Sequence, residues 1–342
     1  MSPLHSLRSC CGRRLAGVVL AVVLAASPTL LHGWGYWAHP RINRSAVLAL
    51  PAEIRGFFYN HVDFLTEAAI MPDLRKHVLN DRTEGPRHYC DLEEFDQPDV
   101  QIPRTAEEAK TTYEAAVLDK RGRLPWHIQE VMTKLTKAMQ ERRKSEILLL
   151  AADLGHYIGD AHMPLHTSAN HDGQLTDQKG VHALWEARLP ELFGHTYNLR
   201  VPTAQFIADP VAEVWRIVRA SHAAVDTVLR VDKALRTEIG ADNLFEKDAQ
   251  GAVRKNRYGQ PYFTLAYATG FHERLGGMVE RRLRASAAAT ASFWYTAWVN
   301  ADKPDLNKLD SDALRRASRA DLKAEQRLLK KGKLVELSSS EF

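Results

Sequence analysis

Eleven residues constrain this chain more than any other stretch: His156-Tyr-Ile-Gly-Asp160-Ala-His162-Met-Pro-Leu-His166. They follow the apolar run Ile147-Leu-Leu-Leu-Ala-Ala-Asp-Leu, and the spacing predicts one helix through both segments. On a helix, His156 and Asp160 are one turn apart and share a face. Pro164 lacks an N–H and restricts the residue before it, so the helix ends or bends there. His166 can then swing back toward the same pocket. Imidazole and carboxylate at this spacing are what a metal site buried in a helical protein needs.

Four other places offer donors of the same kind. His182 and Glu186 form a second pair at i and i+4. Asp73 follows Pro72 after a helical stretch, His88 follows Pro86 in a loop, and His39 lies five residues after Trp34. None of these donors is a thiolate, and such a set suits zinc at a site that keeps a position open for chemistry. The chain has 15 histidines among 342 residues, and their clustering points to metal rather than to pH sensing.

Residues 1–33 read as an export signal: Arg8, Arg13 and Arg14, then an apolar run from Leu15 too short to span a membrane, then Ser27-Pro28 and Gly33. Without those three of the 46 basic residues, the balance is 43 basic to 42 acidic. A mature chain this near neutrality has no bulk electrostatic grip on duplex nucleic acid. Of the 3 cysteines, Cys10 and Cys11 lie in the leader, so only Cys90 remains and no internal disulfide can form. Cleavage near Gly33 makes Trp34 the mature N-terminus. Its free α-amino group, with a pKa near 8, can then lose its proton to a metal.

The rest of the chain reads as helices. Asn43 caps a helix over Ser45–Leu50 that stops at Pro51, and Ala52 to Leu65 is a second. Further helices are predicted at about 106–118, 126–141 and 144–163, a short one from Val181 to about Pro190, and a long one from Asp209 to Leu235. Two more follow at about 262–280 and 282–300. No segment sustains period-two alternation, so the fold class is all-α. The expected organisation is a signal peptide over 1–33, a catalytic domain over 34–305 and a charged C-terminal tail over 306–342.

The donor set, taken in order, resembles the zinc-dependent phospholipase C family and the related zinc-dependent single-strand nucleases. Trp34 and His39 match the family's N-terminal tryptophan and following histidine. Asp73 matches its first aspartate, and Arg87-His88-Tyr89 its Arg-His-aromatic context. His156, Asp160, Pro164, Leu165 and His166 match His-x-x-x-Asp-x-x-x-Pro-Leu-His, and His182 with Glu186 matches the last pair. The resemblance implies a multi-helix fold with a tri-zinc cleft. One zinc is held by Asp73, His88, His156 and Asp160, a second by Trp34, His39 and Asp160, and a third by His166, His182 and Glu186. It gives His162 no metal. It implies in-line attack on phosphorus by a metal-activated water, with Asp73 orienting or deprotonating that water. Arg75 or Lys76 stabilises the phosphoryl charge.

The same resemblance divides on substrate. Only fifteen residues separate His166 from His182, and the last donor is Glu186; both lean to the phospholipases. His88-Tyr89-Cys90-Asp91 leans the other way, since the nucleases stack a base on the aromatic and bond its edge with the aspartate. Phospholipid head groups, reached by peripheral membrane contact, are the first expectation. Single-stranded nucleic acid is the alternative, and a non-catalytic zinc-binding protein is a third. No stable protein partner is predicted, and the protein is exported, periplasmic or extracellular.

Overall fold

The computed structural model describes residues 35–95, 101–255, 259 and 261–337. The helix Lys144–His162 runs through the middle, packed against Gly35–Ala49, Leu124–Gln140, Pro210–His222 and Met278–Asn300. From Leu154 to His162 every residue on it is buried. Its composition requires this, because a helix apolar on all sides has no face to offer water. Its polar residues, His156, Asp160 and His162, are therefore carried into the interior, where each needs a partner.

Two apolar clusters flank this helix. One is built on Phe57, Phe58, Trp126 and Trp294, the other on Trp185, Tyr267, Phe271 and Leu283. Trp294 joins the first cluster to the central helix by donating its indole N–H to the Ala151 carbonyl at 2.9 Å. Burying each of these large side chains contributes roughly 1.5–3 kcal/mol. Among the described residues the only extended pairing is isolated bridges, such as Cys90 with Gly122. The all-α expectation holds.

Several local expectations are corrected. Asn43 is not a cap. It sits inside Gly35–Ala49 and donates to the carbonyls of Leu65 at 3.0 Å and Ala152 at 3.3 Å, tying three helices together. Pro72 starts the helix Met71–His77 instead of ending one, because a first-turn residue needs no N–H partner. Asp73 therefore stands in that helix's first turn. The helical segment from Val181 does not stop at Pro190. Leu184–Arg188 winds as a π-turn, and Pro190 then falls in the first turn of Leu189–Phe193. The long helix after Asp209 breaks at Ala223-Ala224 into Pro210–His222 and Val225–Ile239.

The C-terminal segment folds back onto the body. Helix Asp312–Lys330, capped by Ser311, packs on Ala52–Asn60. Glu325 is buried and accepts from Arg44 Nε at 2.5 Å, Arg44 Nη2 at 3.0 Å and the Tyr59 hydroxyl at 2.8 Å. Farther on, the Leu337 carbonyl accepts from Arg41 at 2.9 Å. Both arginines lie on the helix that carries His39.

Candidate metal centre

Five chain segments bring eight of the nine predicted donors together; Trp34 lies outside the described residues, as do residues 1–33. Asp160 is the meeting point. Its Oδ2 lies 2.9 Å from His88 Nδ1 and 3.2 Å from His156 Nε2. Its Oδ1 lies 3.5 Å from His39 Nε2 and 3.4 Å from His166 Nδ1. The His39 ring stacks on His156 with centroids 3.8 Å apart. Gly159 makes this possible, since a Cβ there would sit 3.0 Å from the His39 ring. Asp73 Oδ1 stands 3.7 Å from His88 Nδ1. His182 Nε2 and His166 Nε2 approach the two oxygens of Glu186 at 3.0 and 3.2 Å.

These side chains form three groups whose candidate ligand atoms lie within 4.8 Å of one another: His39, His156 and Asp160; Asp73, His88 and His156; His166, His182 and Glu186. Whether they suit a cation is decided by their leftover valences. His39 Nδ1 and Nε2, Asp73 Oδ1, Asp160 Oδ1, His166 Nδ1 and Glu186 Oε2 are buried without a hydrogen-bond partner. So many orphaned lone pairs in one place would be costly in an ion-free protein, and a divalent cation satisfies them together. The surroundings also fix ring tautomers. His156 Nδ1 donates to the Ala69 carbonyl at 2.8 Å, and His182 Nδ1 to the His171 carbonyl at 2.9 Å. Each thereby turns Nε2 toward its group, as metal-binding imidazoles do.

The electrostatics follow from burial and proximity. Burial alone would raise the Asp160 carboxyl, but the facing imidazoles of His156 and His166 outweigh it and hold it well below the usual carboxylate range. Burial would lower His156 and His182; Asp160 and Asp73 lift the first to about 9, and Glu186 lifts the second to about 9. His39 goes the other way, lowered by burial and by His156. His162 is apart from this network. Its Nδ1 donates to the Ile158 carbonyl of its own helix, and burial with Arg282 nearby lowers it to about 3.

A cavity of about 440 Å³ opens over the donors, lined by Asp73, His88, His166 and His182 on one side. Lys76, Tyr89 and Asp91 also line it. The Tyr89 hydroxyl donates to the Lys120 carbonyl at 3.0 Å, which holds the ring against the cavity. Gly122, at φ 82°, lets the chain pass there; a Cβ would lie 2.1 Å from the Tyr89 carbonyl oxygen. Burial, with Glu93 and Glu94 nearby, raises Asp91 to about 7. Arg75 does not line the cavity. Its guanidinium is committed to Glu84 at 3.0 Å and Asp153 at 2.9 Å, so of the two predicted cations Lys76 alone faces the site.

A family model described as S1/P1 Nuclease matches residues 39–200. Over those residues the chain is similar to the superfamily of zinc-dependent single-strand nucleases and phospholipases C. The matched span contains all eight described donors, and its members are zinc-dependent phosphoric ester hydrolases. This chain is such a hydrolase. No curated protein matches the chain. S1/P1 nucleases are typically secreted, and no helix among the described residues is long and apolar enough to cross a membrane.

Sequence reasoning missed several residues of this site. Lys120, in the last turn of helix Ala115–Arg121, and His171 and Asp172, in a loop with no periodic signal, also line the cavity. Asp172 also accepts the backbone N–H of His182 at 3.2 Å. Glu84 is fully buried, bonded to Arg75, Arg87 and Tyr157, and stands 3.6 Å from His88 Nε2. It is a buried carboxylate on the far side of the His88 ring. Its position four residues before His88 was the available clue.

Proposed function

We propose that this chain is an exported tri-zinc phosphodiesterase acting on single-stranded nucleic acid. The observation that supports this most is the cavity wall, where Tyr89 and Asp91 flank the donor cluster within a span matched by the nuclease family. A cavity of about 440 Å³ suits a nucleotide-sized group. The Tyr89 face offers stacking to any base, and Asp91, near neutral at its raised pKa, can both donate and accept along a base edge.

In this reading, Asp73, His88, His156 and Asp160 hold one zinc. Trp34, His39 and Asp160 hold a second, and His166, His182 and Glu186 the third. Bound zinc supplies an acidified water and a counter-charge for the phosphoryl oxygens. Asp73, with Oδ1 free of hydrogen bonds, accepts the proton of the attacking water. The Lys76 ammonium meets the negative charge that builds on phosphorus. Export follows signal cleavage near Gly33, which frees the Trp34 amino group.

Phospholipid head groups, the first expectation from the sequence, become the second reading, favoured by Glu186 and the short span between His166 and His182. Side-by-side assays separate the two. Single-stranded DNA should be cut and phosphatidylcholine left intact, with activity abolished by chelation and restored by zinc. Release of diacylglycerol with no cleavage of DNA or RNA overturns the proposal.

A further inference from the structure

The near-neutral charge balance hides a strongly basic groove. A cavity of about 960 Å³ lies between the C-terminal helix Asp312–Lys330, the end of helix Gly35–Ala49 and the segment 198–203. Six cations line it: Arg55, Arg200, Arg284, Lys323, Arg327 and Lys330. No aspartate or glutamate is among its described lining residues. Lys323, Arg327 and Lys330 recur at helical spacing on one face of the C-terminal helix, while Glu325 points into the body against Arg44.

The described lining of the groove carries no counter-charge for these six cations. Several other surface arginines are paired: Arg104 with Asp209, Arg216 with Glu213, Arg274 with Glu238. None of the six groove cations has an ion pair with a carboxylate among the described residues, though five of them are exposed and free to take one. Glu280 comes near through its bond to the Asn198 N–H at 3.1 Å, but it does not line the groove. Cations gathered in a concave site repel one another. That arrangement suits a ligand carrying several negative charges at regular spacing.

The groove is separate from the metal centre. Leu48 and Ala49 line it, and His39 lies nine residues earlier on the same helix, about 14 Å away along the axis. We propose that this groove is an exosite for the phosphate backbone of a single-stranded nucleic acid, which it holds while another part of the strand occupies the cleft. The inference rests on the nuclease reading. It makes the enzyme discriminate by strand length, since a short substrate reaches only the cleft.

The test uses the full-length, zinc-loaded protein and a triple variant, Arg200→Gln with Arg284→Gln and Arg327→Gln. All three residues are exposed and lie outside the metal centre. Binding of a long phosphorothioate deoxythymidylate strand is followed by fluorescence anisotropy across a salt series. The variant should bind on the order of tenfold more weakly, and the slope of log K against log salt should shrink by about 2. Hydrolysis of a dinucleotide should stay unchanged. Equal affinity and equal salt slope in the two proteins overturn the exosite. So does a variant that binds the strand normally but no longer sediments with phosphatidylserine vesicles, which would assign the groove to anionic membranes. If the wild type cleaves neither dinucleotide nor strand, the nuclease reading fails, and strand binding still decides the groove.

Discussion

His88 and Asp160 stand 72 positions apart in the chain and 2.9 Å apart in space, Nδ1 to Oδ2. The first comes from a loop and the second from the most buried helix of the fold. Their approach closes the centre, because each brings further donors: Asp73 faces His88, and His39, His156 and His166 surround Asp160. Glu84 stands 3.6 Å from Nε2 on the far side of the His88 ring.

Lys76 and Arg75 are neighbours with opposite roles, so their variants should fail differently. Lys76→Ala should lower kcat/KM for a phosphodiester on the order of 100-fold with zinc content and Tm unchanged. Arg75→Ala leaves the buried Glu84 short of a partner, and should cost about 3 kcal/mol of stability with a smaller direct loss of chemistry. Thermal melts, zinc analysis and steady-state kinetics on both variants check the assignment. A catalytic loss in Arg75→Ala without loss of stability would reverse it.

The difference between these two residues also marks what the sequence carries. His156 with Asp160, and His182 with Glu186, are legible because a helix turn is a local rule and the residue types are chemically narrow. The central helix is legible because its apolar run leaves no solvated face. Arg75 is not, since its partners Glu84 and Asp153 arrive from a loop and from another helix. Asn43 looks like a cap in sequence and is instead a tie between helices, a fact set by packing alone. The C-terminal segment reads as surface charge, and only the fold shows that Glu325 is buried against Arg44.

Zinc loading should release protons. In the metal-free protein His156 and His182 are lifted to about 9 by their carboxylate neighbours, so both carry a proton at pH 7. Ligation needs the neutral imidazole, so binding expels close to two protons from this pair, and apparent affinity climbs as pH rises toward 9. The sign for stability is opposite. A raised imidazole pKa stabilises the metal-free fold fully below its unfolded value near 6.5, and that contribution is lost as pH rises through 9. An indicator-dye titration with zinc at pH 7 reads the protons directly. Zinc uptake without proton release would contradict the protonated pair.

The C-terminal helix should act as a strap on the His39 helix. Glu325→Ala removes both Arg44 bonds and the Tyr59 bond, leaving a buried guanidinium with Asp63 at 3.1 Å. The loss should be about 3 kcal/mol, and a lower Tm follows. Glu325→Gln, which keeps the shape and some of the bonds, should fall between. Denaturant unfolding of the two variants checks the order. Wild-type stability in Glu325→Ala would show that the helix is merely laid on the surface.

Asp160 is predicted to be the residue shared between metals, with His162, two residues along the same helix, outside the centre. Zinc per chain, measured by elemental analysis on purified Asp160→Asn and His162→Asn, is the direct test. The wild type should carry about three zinc ions, as the three donor groups imply. Asp160→Asn should lose two of them at once, keeping the one held by His166, His182 and Glu186, while His162→Asn keeps all. An Asp160→Asn protein that retains its full zinc, or a His162→Asn protein that loses any, would contradict the account.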